Sequence, residues 1–546
     1  MGVLGQTKTT PTTTNPLTAA NSQSLFTLTL TLLTTHWPLL LLTTLLLRAL
    51  LRRYLSPLRK YPGPALASIT RLWKAASTAS GRSHHHYIAL HRKYNSRVIR
   101  IAPNEVSVSS PEAARVLLSA GKGFVKTPFY WVFPPPENPD IFTETREDVH
   151  AVKKRVANGP YAMAAMQQLS PFIDDTVDVL MGKIKEGYIS SPGSQGGLPG
   201  QQKRRAVFNL GEYLHYFAFD VLGEVGFSRT FGFLREGRDV DGAIRAIDQS
   251  QTYNGLVGQI PELDYLLRRN PLWRLVPWLS NKNALITRMA REELVRRQPF
   301  GKDSDGGLLR TGDGRRDLMA SLILGHLKDP QKFGEGDVFA VAHGAIFAGS
   351  DSTASTMQSF FWHIFSSPQI YQALTHEIQT AVTTGTIPAT GNLTWTQSQG
   401  LPYLQACLKE AMRLRPAVGL NMTRLVPPEG AELDGEFFPG GTSVACNGWV
   451  VHRDRETFGV DAGEFRPERW LESEERAKRM ERYMVHFGGG SHLCLGRNLA
   501  LLEINKVVPR LLRDYRFELV HPGRPLTENA SFFVVQSGLE VYVTKA

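Results

Sequence analysis

Phe487-Gly488-Gly489-Gly490-Ser491-His492-Leu493-Cys494-Leu495-Gly496-Arg497 sets a cysteine in a glycine-rich loop directly before an apolar-periodic helix, Asn498 to Leu511. The glycines let backbone amides approach the sulfur, and those donors together with the helix dipole favour a thiolate. A thiolate so placed can ligate iron and push electron density toward bound oxygen. Phe487 can shield the sulfur from water. An inert buried cysteine beside a flexible loop is the bland alternative, and the set of glycines with a phenylalanine seven residues upstream weighs against it. The other two cysteines, Cys407 and Cys446, lack the CxxC spacing of a zinc or thioredoxin-like site. No disulfide framework is implied, and such usage fits a reducing compartment.

The segment resembles the haem-binding signature of the cytochrome P450 family, FxxGxxxCxG. The resemblance implies haem b as cofactor, with Cys494 as the axial ligand to iron and Phe487, Gly490, His492 and Gly496 around it. His492 stands where most members carry an arginine that pairs with a haem propionate, and a histidine there is a weaker, pH-dependent partner. Arg424, eight residues after Pro416, resembles the arginine that reaches a propionate. In His150 to Arg155 the family's WxxxR motif is altered to His150 at its first position and Lys154 at its last, and a solvated basic turn explains Lys154 nearly as well.

Glu410 and Arg413 share one face of a helix read from Leu404 to Leu414, a pairing that alone is common surface decoration. By resemblance they form an ExxR pair joined by Arg469 from Phe465-Arg466-Pro467-Glu468-Arg469-Trp470, a structural triad behind the haem. Ala348-Gly349-Ser350-Asp351-Ser352-Thr353 falls inside a helical pattern from Gly336 to Ser366, where glycine and hydroxyl residues favour a kink. It is similar to the family's AGx(D/E)T(T/S) motif. That likeness gives Gly349 the room for dioxygen, Asp351 the acid and either Ser352 or Thr353 the alcohol of a proton relay.

With 546 residues, 42% hydrophobic and 21% charged, the chain can bury a large core. Its formal charge of +12 fits an anionic membrane surface or an acidic protein partner. The absence of zinc-finger spacing or an RNP-type motif argues against nucleic acid. Leu25 to Leu47 carries no formal charge and is long enough to cross a bilayer as a helix. Arg48, Arg52, Arg53, Arg59 and Lys60 follow it, so the positive-inside rule puts the remainder in the cytoplasm. A signal peptide fits poorly, because the charge lies on its wrong side. Lys60-Tyr61-Pro62-Gly63-Pro64 reads as a stiff hinge, as in microsomal members of the family.

Further helices are expected at Ala206 to Gly223 and Ile370 to Thr384, hairpins at Val426 to Val444 and Phe532 to Val543, and surface loops at 190–202 and 301–316. The fold class is mainly α with minor β: the cytochrome P450 fold as a single large haem-binding domain after an N-terminal transmembrane helix. Residues 1–60 form the anchor and 61–546 the catalytic domain. His84, His85 and His86 read as a solvated surface patch, because adjacent residues cannot converge easily on one ion. Asn392, Asn421 and Asn529 begin glycosylation sequons that a cytoplasmic domain leaves unmodified.

The resemblance implies a haem-thiolate monooxygenase that inserts one oxygen atom into an apolar small molecule. No GxGxxG follows a strand, so electrons come from a partner, NADPH-cytochrome P450 reductase, with cytochrome b5 as a second donor, at the endoplasmic reticulum membrane. The region His150 to Met163 and the loop Pro134 to Asn138 look closest to fungal pisatin demethylase-like members, which suggests secondary metabolism or detoxification. Substrate walls are expected from Gly121 to Glu144, Gln251 to Trp278, Ala340 to Phe347, Ala417 to Leu420 and Phe532 to Val535. A haem-thiolate isomerase or dehydratase, or a non-catalytic haem-binding membrane protein, stands as the rival, and Asp351 with Ser352 argues against both.

Overall fold

The computed structural model describes residues 16–133, 138–189, 205–270, 272, 285–297 and 316–546, the side chains of 16–33 and 188–189 excepted. The expected loops at 190–202 and 301–316 lie outside these residues, Arg316 apart, as does the 134–138 loop apart from Asn138. Helices dominate, with four small sheets among the described residues.

The Leu210–Phe227 helix is the axis of the core. It is apolar nearly all round and buried along most of its length, as such a pattern requires. It packs against the Ser170–Ile189, Glu335–Gly349 and Asp351–Phe365 helices. Its start is later than the sequence suggests because Phe208–Asn209 pairs as a short strand with Glu540–Lys545, and the Asn209 side chain then accepts from the Glu212 amide at 3.2 Å. The expected single helix from 336 to 366 is two helices, interrupted at Ser350. The helix expected at Leu404 begins at Pro402, where a missing N–H costs nothing, and Ile370 to Thr384 is observed as Pro368–Thr383.

The largest sheet runs Val98–Ala102, Glu105–Val108, Ser443–Cys446, Met422–Leu425, Val125–Lys126, with one parallel pair, Glu105–Val108 against Ser443–Cys446. The segment read as one hairpin from 426 to 444 is two nested ones. Met422–Leu425 pairs with Ser443–Cys446, and a smaller hairpin, Ala431–Leu433 with Glu436–Phe438, turns at Asp434-Gly435, both at positive φ. Phe532 to Val543 is likewise divided. Thr527–Ala530 pairs with Val534–Ser537, whereas Glu540–Lys545 leaves to pair with Tyr515–Leu519.

The N-terminal helix runs unbroken from Pro16 to Tyr54 through Pro38. Among the described residues, Thr34–Tyr54 is long and apolar enough to cross a membrane, with mean hydropathy 1.3 and none of it buried in the protein. The Pro62-Gly63 segment is not a free hinge. The Pro62 carbonyl accepts from the Arg100 amide at 2.8 Å, and a Cβ on Gly63 would stand 2.1 Å from the Arg100 carbonyl oxygen. The helix end is tied down beside it, Arg100 donating to the Arg52 carbonyl at 2.8 Å and Arg53 to Ser68 Oγ at 3.0 Å.

Behind the cysteine loop, Glu410, Arg413 and Arg469 meet with no side-chain exposure. Glu410 accepts from Nε and Nη2 of Arg413 at 2.8 Å, from Arg469 Nε at 2.9 Å, from Trp470 Nε1 at 2.9 Å and from the Arg466 amide at 3.0 Å. The two guanidinium groups turn their remaining donors to the carbonyls of His452, Ala462, Asp461 and Phe458 and to the Asp461 carboxylate. Burial pushes the Glu410 carboxyl up, but Arg413 and Arg469 outweigh it and hold the group below its ordinary value. Removing one charge from a satisfied buried set leaves its partners exposed to the full desolvation cost. Glu410→Ala is expected to lose about 3–5 kcal/mol of folding stability, read by denaturant unfolding; a loss below about 1 kcal/mol, the surface-pair range, contradicts this.

The cysteine loop is wedged against the end of the Pro111–Leu118 helix. Gly490, at φ +56°, would place a Cβ 2.1 Å from the Leu118 carbonyl oxygen and 2.8 Å from the Ala120 nitrogen. Neither atom can move cheaply. Gly490→Ala is expected to reduce the ratio of haem to protein absorbance in purified material, and an unchanged ratio contradicts this reading of the loop.

Candidate active site

The cysteine loop is closed by one main-chain hydrogen bond and one side-chain clamp. The Cys494 amide donates to the Phe487 carbonyl at 2.8 Å, and Lys154 Nζ donates to the carbonyls of Ser491, at 2.7 Å, and Leu493. Amides of Gly496 and Arg497 face the sulfur, as the glycine pattern and helix start imply. Burial pushes the Cys494 thiol up, while those amides and Lys154 pull it down, the direction the glycine pattern and helix start imply. A coordinated cation acts in that same direction, because a metal-bound thiol is held deprotonated.

Above the sulfur lies a cavity of about 320 Å³. Its floor is Cys494 with Phe487, Gly488, Gly489 and Leu495, and its opposite wall is the broken helix pair at Ala345, Ala348, Gly349, Ser352 and Thr353. One end is aromatic. Phe133, Phe142 and Phe532 meet there edge to face with ring centres 5.2–5.3 Å apart. Val341, Ala417, Val418 and Phe533 extend the apolar lining. Of the five segments expected as walls, the described part of Gln251 to Trp278 contributes none. Gln251 sits behind the cavity instead, accepting from the Phe533 amide at 3.0 Å.

The other rim is lined by basic and imidazole side chains. Lys126, His150, Arg424 and His492 all line the cavity. Arg424 Nη1 donates to Tyr130 Oη at 3.0 Å, and Lys126 Nζ to the Ile141 carbonyl at 2.9 Å. Burial and the neighbouring Arg424 bring the Lys126 ammonium down to about 7. Burial, then Lys126 and His492, bring His150 down to about 3. His492 falls to about 4, burial and the cations prevailing over Glu147, whose carboxylate takes its Nε2 at 3.0 Å. Both ring nitrogens of His150 and Nδ1 of His492 are buried without a protein partner. Lys154 lines the same cavity, its ammonium clamping the cysteine loop, and His150 lies one turn earlier with its ring tilted against that of His492, the ring centres 4.2 Å apart.

At the break in the helix pair the hydroxyls bond backward along the chain. Ser352 Oγ donates to the Ala348 carbonyl at 2.8 Å and Thr353 Oγ1 to that of Gly349 at 3.1 Å, which is the pattern that bends helices. A Cβ on Gly349 would lie 3.2 Å from both Leu222 methyls, so its smallness serves the crossing of two helices. Asp351 points away from the cavity. It is buried, takes His215 Nε2 at 2.7 Å and is bonded by the Gln251 amide. Burial lowers His215, but Asp351 outweighs it and the net shift is upward. No periodicity or motif marks His215 or Gln251 in the sequence; they reach Asp351 only because three helices converge.

A soft sulfur donor on one side, an apolar space above it and, along one rim, basic side chains with buried imidazole nitrogens that have no protein partner fit haem, an apolar iron macrocycle with two carboxylates. Hydrogen-bond donors on His150, His492, Arg424 and Lys126 are where those carboxylates would lie.

The chain matches the family model Cytochrome P450 over residues 62–543. It is 34% identical over 485 residues to Cytochrome P450 monooxygenase cicH of Emericella nidulans, covering 87% of this chain and 91% of that one. It is 33% identical to Cytochrome P450 monooxygenase AFLA_114810 of Aspergillus flavus, with 89% and 92% covered. To Pisatin demethylase of Fusarium vanettenii it is 31% identical, with 88% of each chain covered. The mainly helical fold, the cysteine-floored cavity and these likenesses along nearly the whole length agree, and the chain belongs to the cytochrome P450 family, as a haem-thiolate monooxygenase whose cofactor is haem b on an axial cysteine.

Proposed function

We propose that Cys494 is that axial cysteine, and that the enzyme oxygenates an apolar small molecule of fungal secondary metabolism or detoxification. The observation that carries this reading is the sulfur's position under a cavity whose far wall is apolar and aromatic. Bound haem supplies oxygen activation at its iron. The chain's own residues do the rest. Phe133, Phe142, Phe347 and Phe532 exclude water and hold an apolar substrate, while Glu410, Arg413 and Arg469 keep the loop that carries the sulfur rigid.

In this reading Ser352 is the hydroxyl that hands a proton toward the cavity. It stands more open to the cavity than Thr353, which is 3% exposed. Asp351, paired with His215 and Gln251, is the buried acid behind it. Gly349 gives the helix pair its close approach, and Phe487, Gly490 and Gly496 shape the loop around the sulfur. His492 and Arg424 address the haem carboxylates, joined by Lys154 and His150, which line the same cavity.

Residues 1–60 serve as a single-pass anchor in the endoplasmic reticulum membrane, and 61–546 as one catalytic unit on its cytoplasmic side. Three observations support this: the apolar Thr34–Tyr54 segment, the arginines at its end and the extent of the family match. Electrons come from NADPH-cytochrome P450 reductase, with cytochrome b5 as a second donor. Exposed Lys122, Arg155 and Arg497 flank the segments that touch the cysteine loop and suit an acidic partner.

Two experiments test the reading. The carbon monoxide complex of the reduced protein is expected to show the absorption of thiolate-ligated haem, and Cys494→Ala to abolish it; a normal thiolate spectrum in that variant overturns the assignment. With a reconstituted reductase, Ser352→Ala is expected to lower product formed per NADPH consumed, with turnover reduced on the order of 10²-fold, and Thr353→Val to do so less. The reverse order assigns the role to Thr353.

A further inference from the structure

The three consecutive histidines do not form the solvated patch that the sequence suggests. The Ser83–Tyr94 helix begins among them and buries His84 completely, edge to face with Trp449 at 4.3 Å between ring centres. His86 turns away to Ser77 Oγ at 2.8 Å. His84 and His85, although adjacent, both aim Nε2 at one carboxylate oxygen, Oε2 of Glu528, at 3.3 and 2.9 Å. The physical reason is the partner's position. Glu528 lies on the Thr527–Ala530 strand, which is held against the helix start by the Ala530 amide donating to the Gly81 carbonyl at 2.8 Å. Gly81 has no Cβ, and one would stand 2.2 Å from Asn529 Oδ1.

We propose that His84, His85 and Glu528 form a three-ligand site for a divalent transition-metal ion, with zinc as its natural chemistry. All three ligand atoms lie within 4.8 Å of one another. Tetrahedral zinc with ligands at about 2.0–2.1 Å has ligand-to-ligand edges of about 3.3–3.4 Å, and the two measured nitrogen-to-oxygen separations lie at or just below that edge. Two imidazoles and a carboxylate are a donor set for zinc or copper rather than for calcium or magnesium. An ion pair backs the carboxylate, Arg415 Nη1 standing 2.7 Å from Oε1 of Glu528, and leaves Oε2 for the ion. His85 is 50% exposed in its side chain, so an ion can enter from solvent and the fourth position is open to water.

The site joins residues more than 440 positions apart in the chain. Glu528 stands on the hairpin whose turn carries Phe532 and Phe533 into the cavity, and Arg415 directly precedes the Pro416–Val418 wall. A bound ion would therefore fasten the hairpin that closes the aromatic end of the substrate space.

The test uses untagged, full-length, haem-loaded protein stripped with a chelator, dialysed against zinc(II) and assayed for bound metal. The wild type is expected to hold one equivalent more than His85→Ala at low micromolar zinc, the affinity of that equivalent falling at least on the order of 100-fold in the variant. Exposed His376→Ala, remote in sequence, should bind as the wild type does. Glu528→Gln, nearly the same shape, provides the second variant, its haem absorbance reporting that it is folded. Zinc should also raise the thermal midpoint of the wild type and of His376→Ala, and not that of His85→Ala or Glu528→Gln. Equal zinc stoichiometry and affinity in wild type and His85→Ala overturn the proposal and leave the cluster as hydrogen bonding alone.

Discussion

The carboxylate of Glu410 organises the catalytic half of the molecule. A charge with no solvent access has to be surrounded by donors, and here they come from Arg413 on its own helix, Arg469 and Trp470 sixty residues later, and the Arg466 amide. Satisfying the two arginines in turn pins the carbonyls of His452, Phe458, Asp461, Ala462 and Glu464. His452 continues the chain of constraint, its Nε2 accepting from the Val485 amide at 2.8 Å, two residues before the cysteine loop begins. A rigid support for one sulfur atom is thus assembled from polar groups that must not be left unpaired.

The two sides of the cavity obey different physics. Below, the loop is set by main-chain hydrogen bonds and by glycines that meet a neighbouring backbone. Above, the wall is a helix pair interrupted at Ser350, where the hydroxyls of Ser352 and Thr353 bond back across the break to the carbonyls of Ala348 and Gly349. Rigidity on the metal side and local irregularity on the opposite side leave polar hydroxyls exposed inside an otherwise apolar space.

Much of this was legible in the residues. The cysteine loop, the ExxR pair with its later arginine and the interrupted helix each carry a local pattern whose chemistry is set by near neighbours. What could not be read depended on contacts distant in sequence. Nothing local tells that Lys154 clamps the carbonyls of Ser491 and Leu493, since only the folded position of the loop brings them within its reach. The same holds for His84, whose burial is decided by a strand 444 residues away, and for Asp351, whose partners arrive from two other helices. The hairpin after 426 was read at its turn, Asp434-Gly435, whereas the strands after 532 pair with others and not with each other, because turn chemistry marks where a chain reverses and not which strand receives it.

The docking of Pro62 and Gly63 along the strand at Arg100 has a mechanical consequence. A chain that leaves its apolar helix through a loose tether lets the globular part swing, whereas this one passes directly into the edge of a sheet and is gripped on both sides by Arg52, Arg53 and Arg100. Tilt and azimuth of the body are thereby coupled to the axis of the first helix, so the mouth of the cavity keeps a constant bearing to whatever plane that helix occupies.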